Sequence, residues 1–299
     1  GSEMCIRDSH RMETFLTVCE TMNFTKAAAK LHITQPAVSQ HIRYLEAAYD
    51  IPLFHYKERK LMLTPEGALL YKAGLAMRND DRELRQRLHH ARATSQPIHF
   101  GVTKTIGEYV VAPPLSRFIR RHPDAAMTMK IANTEELIRG LEEGDIQFAL
   151  VEGYFDSEEF EALRYDTVAF VPVTSARHEF PKVPEKLEDL LTERLILREP
   201  GSGTRRLLEN QLALMGRQIS DFSRRIEIGG MHAILQLLEE DMGVSFLYES
   251  AAEGPIREGR LMRIDLVDFS VTHDFTFIWE KGSLFGETYR GWCREMMDE

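Results

Sequence analysis

The N-terminal region takes its form from the segment Thr34-Gln35-Pro36-Ala37-Val38-Ser39-Gln40-His41-Ile42-Arg43-Tyr44-Leu45-Glu46. Thr34 predicts the start of a helix, because its hydroxyl can accept a hydrogen bond from a free amide of the first turn. Pro36 falls within that turn, where a missing N–H is tolerated. Four apolar residues then recur at steps of four, three and four: Val38, Ile42, Leu45 and Tyr49. This spacing predicts one apolar stripe that packs against the rest of the domain.

The other face of this predicted helix carries short side chains and one arginine: Pro36, Ser39, Gln40 and Arg43. Residues 26–31 predict a preceding helix, with Thr25 as its cap and alanines small enough for a close helix crossing. His32-Ile33 makes the short connection. Two helices joined this tightly, the second with a polar outward face, are typical of a helix-turn-helix that enters the DNA major groove. The alternative is an ordinary helical hairpin.

A β-hairpin is predicted after the second helix. Leu53-Phe54-His55-Tyr56 and Leu61-Met62-Leu63 alternate in polarity on either side of a polar tip, Lys57-Glu58-Arg59-Lys60. Such a hairpin would form a wing, from which Lys57 and Arg59 reach phosphates or the minor groove. A solvated turn is the alternative.

These motifs closely resemble the N-terminal domain of LysR-type transcriptional regulators. The resemblance rests on Asn23-Phe24-Thr25, Leu31-His32-Ile33-Thr34-Gln35-Pro36-Ala37-Val38-Ser39, Pro52-Leu53-Phe54 and Leu63-Thr64-Pro65. Tyr49-Asp50 and Tyr56 depart from the usual family pattern, the latter where the wing commonly carries arginine. The resemblance implies a winged helix-turn-helix, a linker helix and a two-lobed α/β effector domain like a periplasmic binding protein. It also implies a dimer or tetramer, with contact to RNA polymerase as a further possibility.

Particular side chains can be assigned to DNA on chemical grounds. Gln35 and Arg43 are the expected base readers, because amide and guanidinium groups make paired hydrogen bonds with adenine and guanine. Ser39, Gln40 and Pro36 would make closer or apolar contacts, and Thr25 would contact a phosphate.

A long helix is predicted from Thr64-Pro65 to about Ala93, roughly 43 Å at the usual rise per residue. Its narrow apolar seam consists of Leu70, Ala73, Met77, Leu84, Leu88 and Ala91. A narrow seam on a charged helix requires a partner helix, so this segment predicts dimerisation. Ser95-Gln96-Pro97 ends the helix.

Beyond Pro97, short apolar strands alternate with helices, which predicts a parallel sheet covered on both faces. The expected strands are 98–102, 127–131, 148–151, 168–173, 194–198, 225–228, 244–247 and 275–279. One expected helix carries Tyr109, Val110, Leu115, Phe118 and Ile119; further helices are expected over 135–142, 204–215, 231–240 and 285–297. The resulting domain boundaries are 1–9 for a tag or atypical N-terminus, 10–67 for the winged helix-turn-helix, 68–95 for the linker helix and 96–299 for the effector domain. Within the latter, lobe 1 covers about 96–167 and 268–299, and lobe 2 about 168–267.

The turn Arg198-Glu199-Pro200-Gly201-Ser202-Gly203-Thr204-Arg205-Arg206 follows a strand and opens a helix. Helix N-termini bind anions through free amides and the macrodipole, and Arg205 or Arg206 could add charge. A well-capped turn without a ligand is the alternative. The family resemblance places the effector cleft at Thr103, Thr105, Ser202, Gly203, Thr204, Gly230 and Met231, with Asn133-Thr134 as a weaker candidate. The amino-acid sequence of this turn resembles that of regulators of sulfur and carbon assimilation, so we expect a small anionic effector.

Charge is distributed unevenly. The net charge is −10, but residues 1–95 hold 14 Lys and Arg against 11 Asp and Glu (+3), and residues 96–299 hold 23 against 36 (−13). A weakly basic head on an acidic body is consistent with local contact to double-stranded DNA.

Several other classes are disfavoured. The sequence contains no run of 18 apolar residues, so we expect no membrane span. Three scattered cysteines, Cys5, Cys19 and Cys293, indicate a reducing cytoplasm without structural disulfides. Ser202 and Ser245 lie outside a Gly-x-Ser-x-Gly elbow, and metal motifs are absent, so we expect neither an enzyme nor a cofactor.

Overall fold

The computed structural model describes residues 2–90 and 97–297, and the side chains of residues 10–88 and 97–297. They belong to two units, Gly1–Arg85 and Gln86–Glu299. Within these described ranges, no helix combines the length and apolar character needed to cross a membrane. The predicted end of the linker helix at residues 91–93 lies outside the described residues.

The N-terminal unit contains three helices, a hairpin and most of a fourth helix. The elements are α1 (Ser2–Thr21), α2 (Phe24–Leu31), α3 (Gln35–Tyr49), β1 (Phe54–Lys57), β2 (Lys60–Leu63) and α4 (Pro65–His90). The core is formed by side chains from α1, α2 and α3 together with Leu53. Cys19 is buried in this core.

Helix α3 begins as the sequence predicts. Thr34 Oγ1 accepts a hydrogen bond from the Ala37 amide at 3.3 Å, and Pro36 lies in the first turn. Val38, Ile42 and Leu45 are buried. The predicted burial of Tyr49 is wrong, because 51% of this residue is exposed. Tyr49 ends the helix, and the chain turns away at Asp50, whose φ is 54°.

Helix α2 has a different cap from the predicted one. Asn23 Oδ1 accepts hydrogen bonds from the Thr25 and Lys26 amides, both at 2.9 Å, so Asn23 and not Thr25 is the N-cap. An amide oxygen one residue before the helix is better placed than a hydroxyl inside it. His32 ends α2 at φ 55°, and the Ile33 amide donates back to the Ala28 carbonyl.

The predicted hairpin is confirmed. β1 and β2 pair antiparallel from Phe54 opposite Leu63 to Lys57 opposite Lys60. Only Glu58 and Arg59 remain in the turn, and both have positive φ, 52° and 64°. Two such residues match the right-handed twist of the strands, as in a type I′ turn.

The second unit is built on a nine-stranded sheet in the order β4-β3-β5-β11-β6-β9-β7-β8, with β10 beside β6. The strands are β3 (Ile98–Thr103), β4 (Met127–Ala132), β5 (Phe148–Val151), β6 (Phe160–Ser175), β7 (Arg194–Arg198), β8 (Arg224–Ile228), β9 (Val244–Tyr248), β10 (Leu261–Arg263) and β11 (Val271–Glu280). The α-helices are α5 (Lys104–Tyr109), α6 (Ala112–Arg121), α7 (Thr134–Glu142), α8 (Gly203–Leu214), α9 (Met231–Glu239), α10 (Glu249–Arg257) and α11 (Gly286–Met297).

Two long strands connect the two lobes of this unit. β6 and β11 pair antiparallel from Phe160 opposite Glu280 to Phe170 opposite Val271. Lobe 1 holds the parallel strands β3, β4 and β5, and lobe 2 holds β7 and β8 with β9. The strand expected from Val168 therefore starts at Phe160, because it crosses between lobes instead of ending inside one.

One predicted helix is divided in the structure, and two elements of the structure were not predicted. The single helix expected through Tyr109 and Ile119 is two helices, α5 and α6. Pro113 and Pro114 have no N–H for a continuing helix and sit in the first turn of α6 instead. Helix α10 was not predicted, because Gly254 and Pro255 suggest a turn. The three-residue strand β10 was also missed.

Candidate nucleic-acid interface and effector cleft

A groove of about 500 Å³ lies between α2, α3 and the hairpin. Five of the eight residues assigned to DNA line it: Thr25, Gln35, Ser39, Arg43 and Arg59. The other three, Pro36, Gln40 and Lys57, are exposed but do not line it. We call this surface the reading groove.

The polar groups of the reading groove are available to a ligand. Arg43 is exposed and forms no ion pair with any residue of the described ranges. Gln35 Nε2 donates to Ser39 Oγ at 3.0 Å, which fixes the orientation of the amide about two helical turns before Arg43. The guanidinium and the amide oxygen are therefore presented on a rigid helix.

Three further residues with polar side-chain groups line the groove without having been assigned to DNA: Asn23, Glu46 and Tyr56. Glu46 Oε1 accepts the Leu53 amide at 2.9 Å, so this carboxylate joins α3 to the start of the wing. Tyr56 is 71% exposed. The alternation of polarity along the hairpin was the sequence signal that could have assigned Tyr56 to the DNA-binding surface.

The second candidate site lies between the lobes of the effector unit and centres on Glu152, which sequence reasoning missed. Glu152 follows β5 and is only 2% exposed. Thr105 and Thr204 each donate a hydrogen bond to its Oε1 at 3.0 Å, and Thr103 donates one to its Oε2 at 3.2 Å. The structure thus brings three of the predicted effector residues together around a carboxylate of the chain itself.

Burial raises the pKa of Glu152, against the opposing effects of the Thr105 hydroxyl and the Arg198 charge. The buried Tyr248 hydroxyl donates to the Glu152 carbonyl at 3.0 Å and ties lobe 2 to the same residue. The three threonine hydroxyls donate their hydrogen bonds to Glu152, so in this arrangement they cannot donate to an anion. Their role in effector binding stays a prediction.

A cavity of about 130 Å³ opens beside this cluster at the start of α8. Its lining from lobe 1 includes Thr134 and Gly153, and from lobe 2 Ser202, Gly203 and Arg206. Ser202 and Thr134 are 2% and 4% exposed, and neither hydroxyl has a hydrogen-bond partner among the described residues. We call this cavity the interlobe pocket.

Glycine is required where the lobes approach each other. A Cβ on Gly203 would lie 3.0 Å from the Gly153 Cα, and one on Gly153 would lie 2.3 Å from Thr134 Oγ1. The absence of a side chain at Gly203 therefore lets the first turn of α8 approach the end of β5. Contact of Gly203 with an effector stays a prediction.

Gly230 and Met231 lie at the start of α9. Met231 is 1% exposed and packs in the lobe 2 core with Ile234 and Leu235. Its side chain does not face the interlobe pocket, so only backbone groups of this segment could reach a ligand. A Cβ added to Gly229 or Gly230 would have no heavy atom within 4 Å, so the space around these two residues is open.

A cluster of charged residues lies at the same edge of the sheet. Lys104 of lobe 1 donates through Nζ to Glu199 Oε1 of lobe 2 at 2.8 Å and to the Gly229 carbonyl at 3.2 Å. Arg205, which the sequence suggested as a source of positive charge, is paired with Glu209 at 2.8 Å and Glu227 at 3.0 Å.

The chain matches two family models along most of its length. The bacterial regulatory helix-turn-helix protein, lysR family, matches residues 9–68, and the LysR substrate binding domain matches residues 91–298. The HTH-type transcriptional regulator CysL of Bacillus subtilis is 28% identical over 270 residues, 89% of each chain. The HTH-type transcriptional activator CmpR of Synechocystis is 28% identical over 291 residues, 94% of this chain and 92% of CmpR.

Solved structures show the same fold. LysG from Corynebacterium glutamicum with bound effector Arg aligns with a TM-score of 0.63 at 14% identity, over 97% of this chain and 98% of that one. The regulatory domain of CcmR from Synechocystis, in complex with 2-PG, aligns with a TM-score of 0.61 at 19% identity, over 69% of this chain and 97% of that one.

The fold and these matches define a DNA-binding transcriptional regulator with a separate effector-binding domain. The chain belongs to the LysR family of transcriptional regulators. Its relatives are regulators and not enzymes, and the same holds for this chain.

Proposed function

We propose that this regulator binds an operator as a homo-oligomer through the reading groove and responds to a small anion held between the lobes of its effector unit. The observation that carries the DNA part is the convergence of Thr25, Gln35, Ser39, Arg43 and Arg59 on one groove. As a DNA-binding protein, it would act in the cytoplasm.

Arg43 and Gln35 read base edges in this proposal. Both lie on the exposed face of α3 within the reading groove, and both chemistries discriminate bases through paired hydrogen bonds. Lys57 and Arg59 at the tip of the wing, and Thr25 at the start of α2, hold the phosphates. The phosphate contacts set affinity and its salt dependence, and the base contacts set specificity.

Helix α4 supports pairing of two chains. Leu69, Met77 and Leu84 are 71%, 62% and 45% exposed and are spaced along one face of the helix. Leu70 of the predicted seam is instead partly buried against the N-terminal core, so Leu69 takes its place. Exposed leucine and methionine at such spacing favour contact with a second helix.

Pairing is tested by sedimentation of the full chain. Met77→Asp should shift the protein to a smaller species, because a charge in an apolar helix contact is not tolerated. Leu214→Asp, at a residue that is 81% exposed on α8, is the matched control and should leave the mass unchanged. Equal masses for wild type and Met77→Asp would remove α4 from the interface.

The anionic effector is supported by the interlobe pocket. The pocket meets the N-terminus of α8, a 12-residue helix, and holds two buried hydroxyls that have no hydrogen-bond partner in the part of the chain that the structure describes. Arg206 is exposed in its lining and forms no ion pair with a described residue. Free amides, hydroxyls and a guanidinium together favour an oxyanion.

A cationic effector is the alternative, because Glu152 places a carboxylate between the lobes. The anion is favoured, since Glu152 is fully enclosed and its oxygens already accept three hydroxyl hydrogen bonds. The neighbouring CcmR and LysG structures hold 2-PG and Arg respectively, so ligands of different charge occur on this fold.

Titration of the full chain with candidate ligands distinguishes an anionic from a cationic effector. Phosphate or sulfate at constant ionic strength should raise the melting temperature of the effector unit, because a ligand that binds only the folded state stabilises it. Protection by arginine or an uncharged ligand, with no effect of any anion, would contradict the proposal.

A further inference from the structure

Two cations at the carboxyl edge of the sheet, Arg198 and Lys104, are in contact with an anion that belongs to the chain itself. Arg198 Nε donates to Glu199 Oε2 at 2.8 Å and Nη2 donates to Oε1 at 3.1 Å. Lys104 Nζ donates to the same Oε1 at 2.8 Å from the other lobe. A single carboxylate therefore receives a two-pronged contact from a guanidinium and a third contact from an ammonium group.

The geometry has the features of a site built for an oxyanion. Arg198 is 3% exposed, and its third nitrogen, Nη1, is buried without a partner among the described residues. A paired guanidinium fork is the arrangement with which proteins recognise carboxylates and phosphates. Ser202, whose buried hydroxyl also has no partner, lies on the same turn, and its amide donates to the Glu199 carbonyl at 3.3 Å.

Glu199 is less enclosed than Arg198, and Lys104 is more exposed than either of them. The Glu199 side chain is 24% exposed and that of Lys104 is 32% exposed, against 2% for Arg198. Burial alone would raise the pKa of Glu199, but hydrogen bonds from Arg198 and Lys104 outweigh this and lower it. The carboxylate is thus charged and within reach of solvent, so a dissolved oxyanion can exchange with it.

We propose that Arg198 and Lys104 form an oxyanion subsite which Glu199 fills from within the chain, and that the carboxylate or phosphate group of the effector binds by displacing Glu199. This rests on the proposed anionic effector and names residues and a competitor for it. Because Lys104 belongs to lobe 1 and Glu199 to lobe 2, the exchange replaces a direct link between lobes by one through the ligand. Apparent affinity is then reduced by the fraction of chains in which Glu199 occupies the subsite.

The subsite is tested in the full chain with acetate and phosphate as probes, with chloride keeping the ionic strength constant. Glu199→Ala leaves a carboxylate-sized space, and Glu199→Gln keeps the volume should the alanine variant fail to fold. Either should lower the apparent Kd for a probe at least tenfold relative to wild type, because the internal competitor is gone. Acetate acting alone identifies a carboxylate subsite, and phosphate acting alone a phosphate subsite; both outcomes support the proposal.

Glu161 provides the matched control, since its carboxylate accepts from Arg290 at 2.7 Å with a side chain 34% exposed, outside the cleft. Glu161→Gln should leave both Kd values unchanged, and adding Lys104→Met to Glu199→Gln should remove the gain. Equal Kd values in wild type and Glu199→Gln would overturn the self-occupied subsite while leaving the anionic effector intact. Absence of any probe binding in both would overturn the two together, and DNA binding would remain a separate question.

Discussion

The reading groove and the interlobe cleft differ in how their polar side chains are held. In the groove, Arg43 and Arg59 are exposed and unpaired among the described residues. In the cleft, Thr103, Thr105 and Thr204 are buried, and each hydroxyl is bonded to Glu152. The polar groups of the groove are therefore available to a large ligand that displaces water, whereas the three threonine hydroxyls of the cleft are already bonded to a carboxylate of the chain itself.

This difference fits two kinds of task. A DNA reader needs groups that water solvates until base edges and phosphates replace it, on a helix that does not move. A sensor needs two arrangements of similar free energy, because a ligand shifts an equilibrium only through its different affinity for the two states. In the proposed subsite, exchange of the Glu199 hydrogen bonds for those of a ligand would supply the second arrangement.

The largest effect on stability should come from Glu152. Glu152→Ala would leave three buried hydroxyls without their acceptor, and we expect the free energy of unfolding of the effector unit to fall by about 2–4 kcal/mol. Denaturant unfolding of the full chain, followed by hydrogen exchange to assign the transition, measures this. Thr25→Ala in the exposed groove is the control and should change stability by less than about 0.5 kcal/mol. Similar losses at both positions would remove the contrast between the regions.

Arg43 should decide specificity. Arg43→Ala should reduce discrimination between the operator and scrambled DNA by about 1–3 kcal/mol, because a bidentate base contact is lost. Lys57→Ala is the comparison, and it should weaken binding to both DNAs equally and lower the salt dependence. Binding ratios measured by fluorescence anisotropy that stay unchanged in Arg43→Ala would exclude it as a base reader.

Thr34 tests the preorganisation of the groove. Thr34→Ala removes the hydroxyl that accepts the Ala37 amide and should destabilise the N-terminal unit by about 1 kcal/mol. Thr25→Ala again serves as control, because the cap of its helix is Asn23. Equal thermal stability of the two variants would show that the Thr34 hydrogen bond contributes nothing.

The smallest effect should be a change in the free energy of unfolding with pH, because it depends on the titration of one group, Glu152. Burial raises the pKa of Glu152, so above its usual pKa of 4.5 the folded chain retains a proton that the unfolded chain has lost. The contribution of this site is therefore full below pH 4.5 and is lost as pH rises through the raised pKa. Glu152→Gln, which does not titrate, should show a flatter profile over that range. Parallel profiles for the two proteins would mean that Glu152 has an ordinary pKa.

Local signals predicted much of the fold. The helix-turn-helix, the hairpin and the strands Phe148–Val151 and Arg194–Arg198 follow from caps, periodicity and alternation in short windows. The extent of β6 could not be predicted, because its pairing with β11 lies more than 90 residues away in sequence. Helix α10 could not be predicted either, since packing overrides the turn signal of Gly254 and Pro255.

The candidate sites follow the same rule. Residues of the reading groove come from α2, α3 and the hairpin, which follow one another closely in the sequence, so their convergence can be predicted from motif and spacing. Glu152 meets Thr204 and Lys104 meets Glu199 across 52 and 95 residues of sequence, so no short window shows these two contacts. Val151-Glu152-Gly153 at the end of a buried strand was the available signal, because ligands and charges gather at that edge of a sheet.

Selection of bound fragments from a sheared genomic library, at low salt and with the full chain, tests the central claim most directly. We predict that wild type enriches a small set of fragments and protects two half-sites in each of them, and that Arg43→Ala binds the same fragments without enrichment over the rest. A folded and paired wild-type protein that retains no fragment of duplex DNA would contradict the assignment of the reading groove.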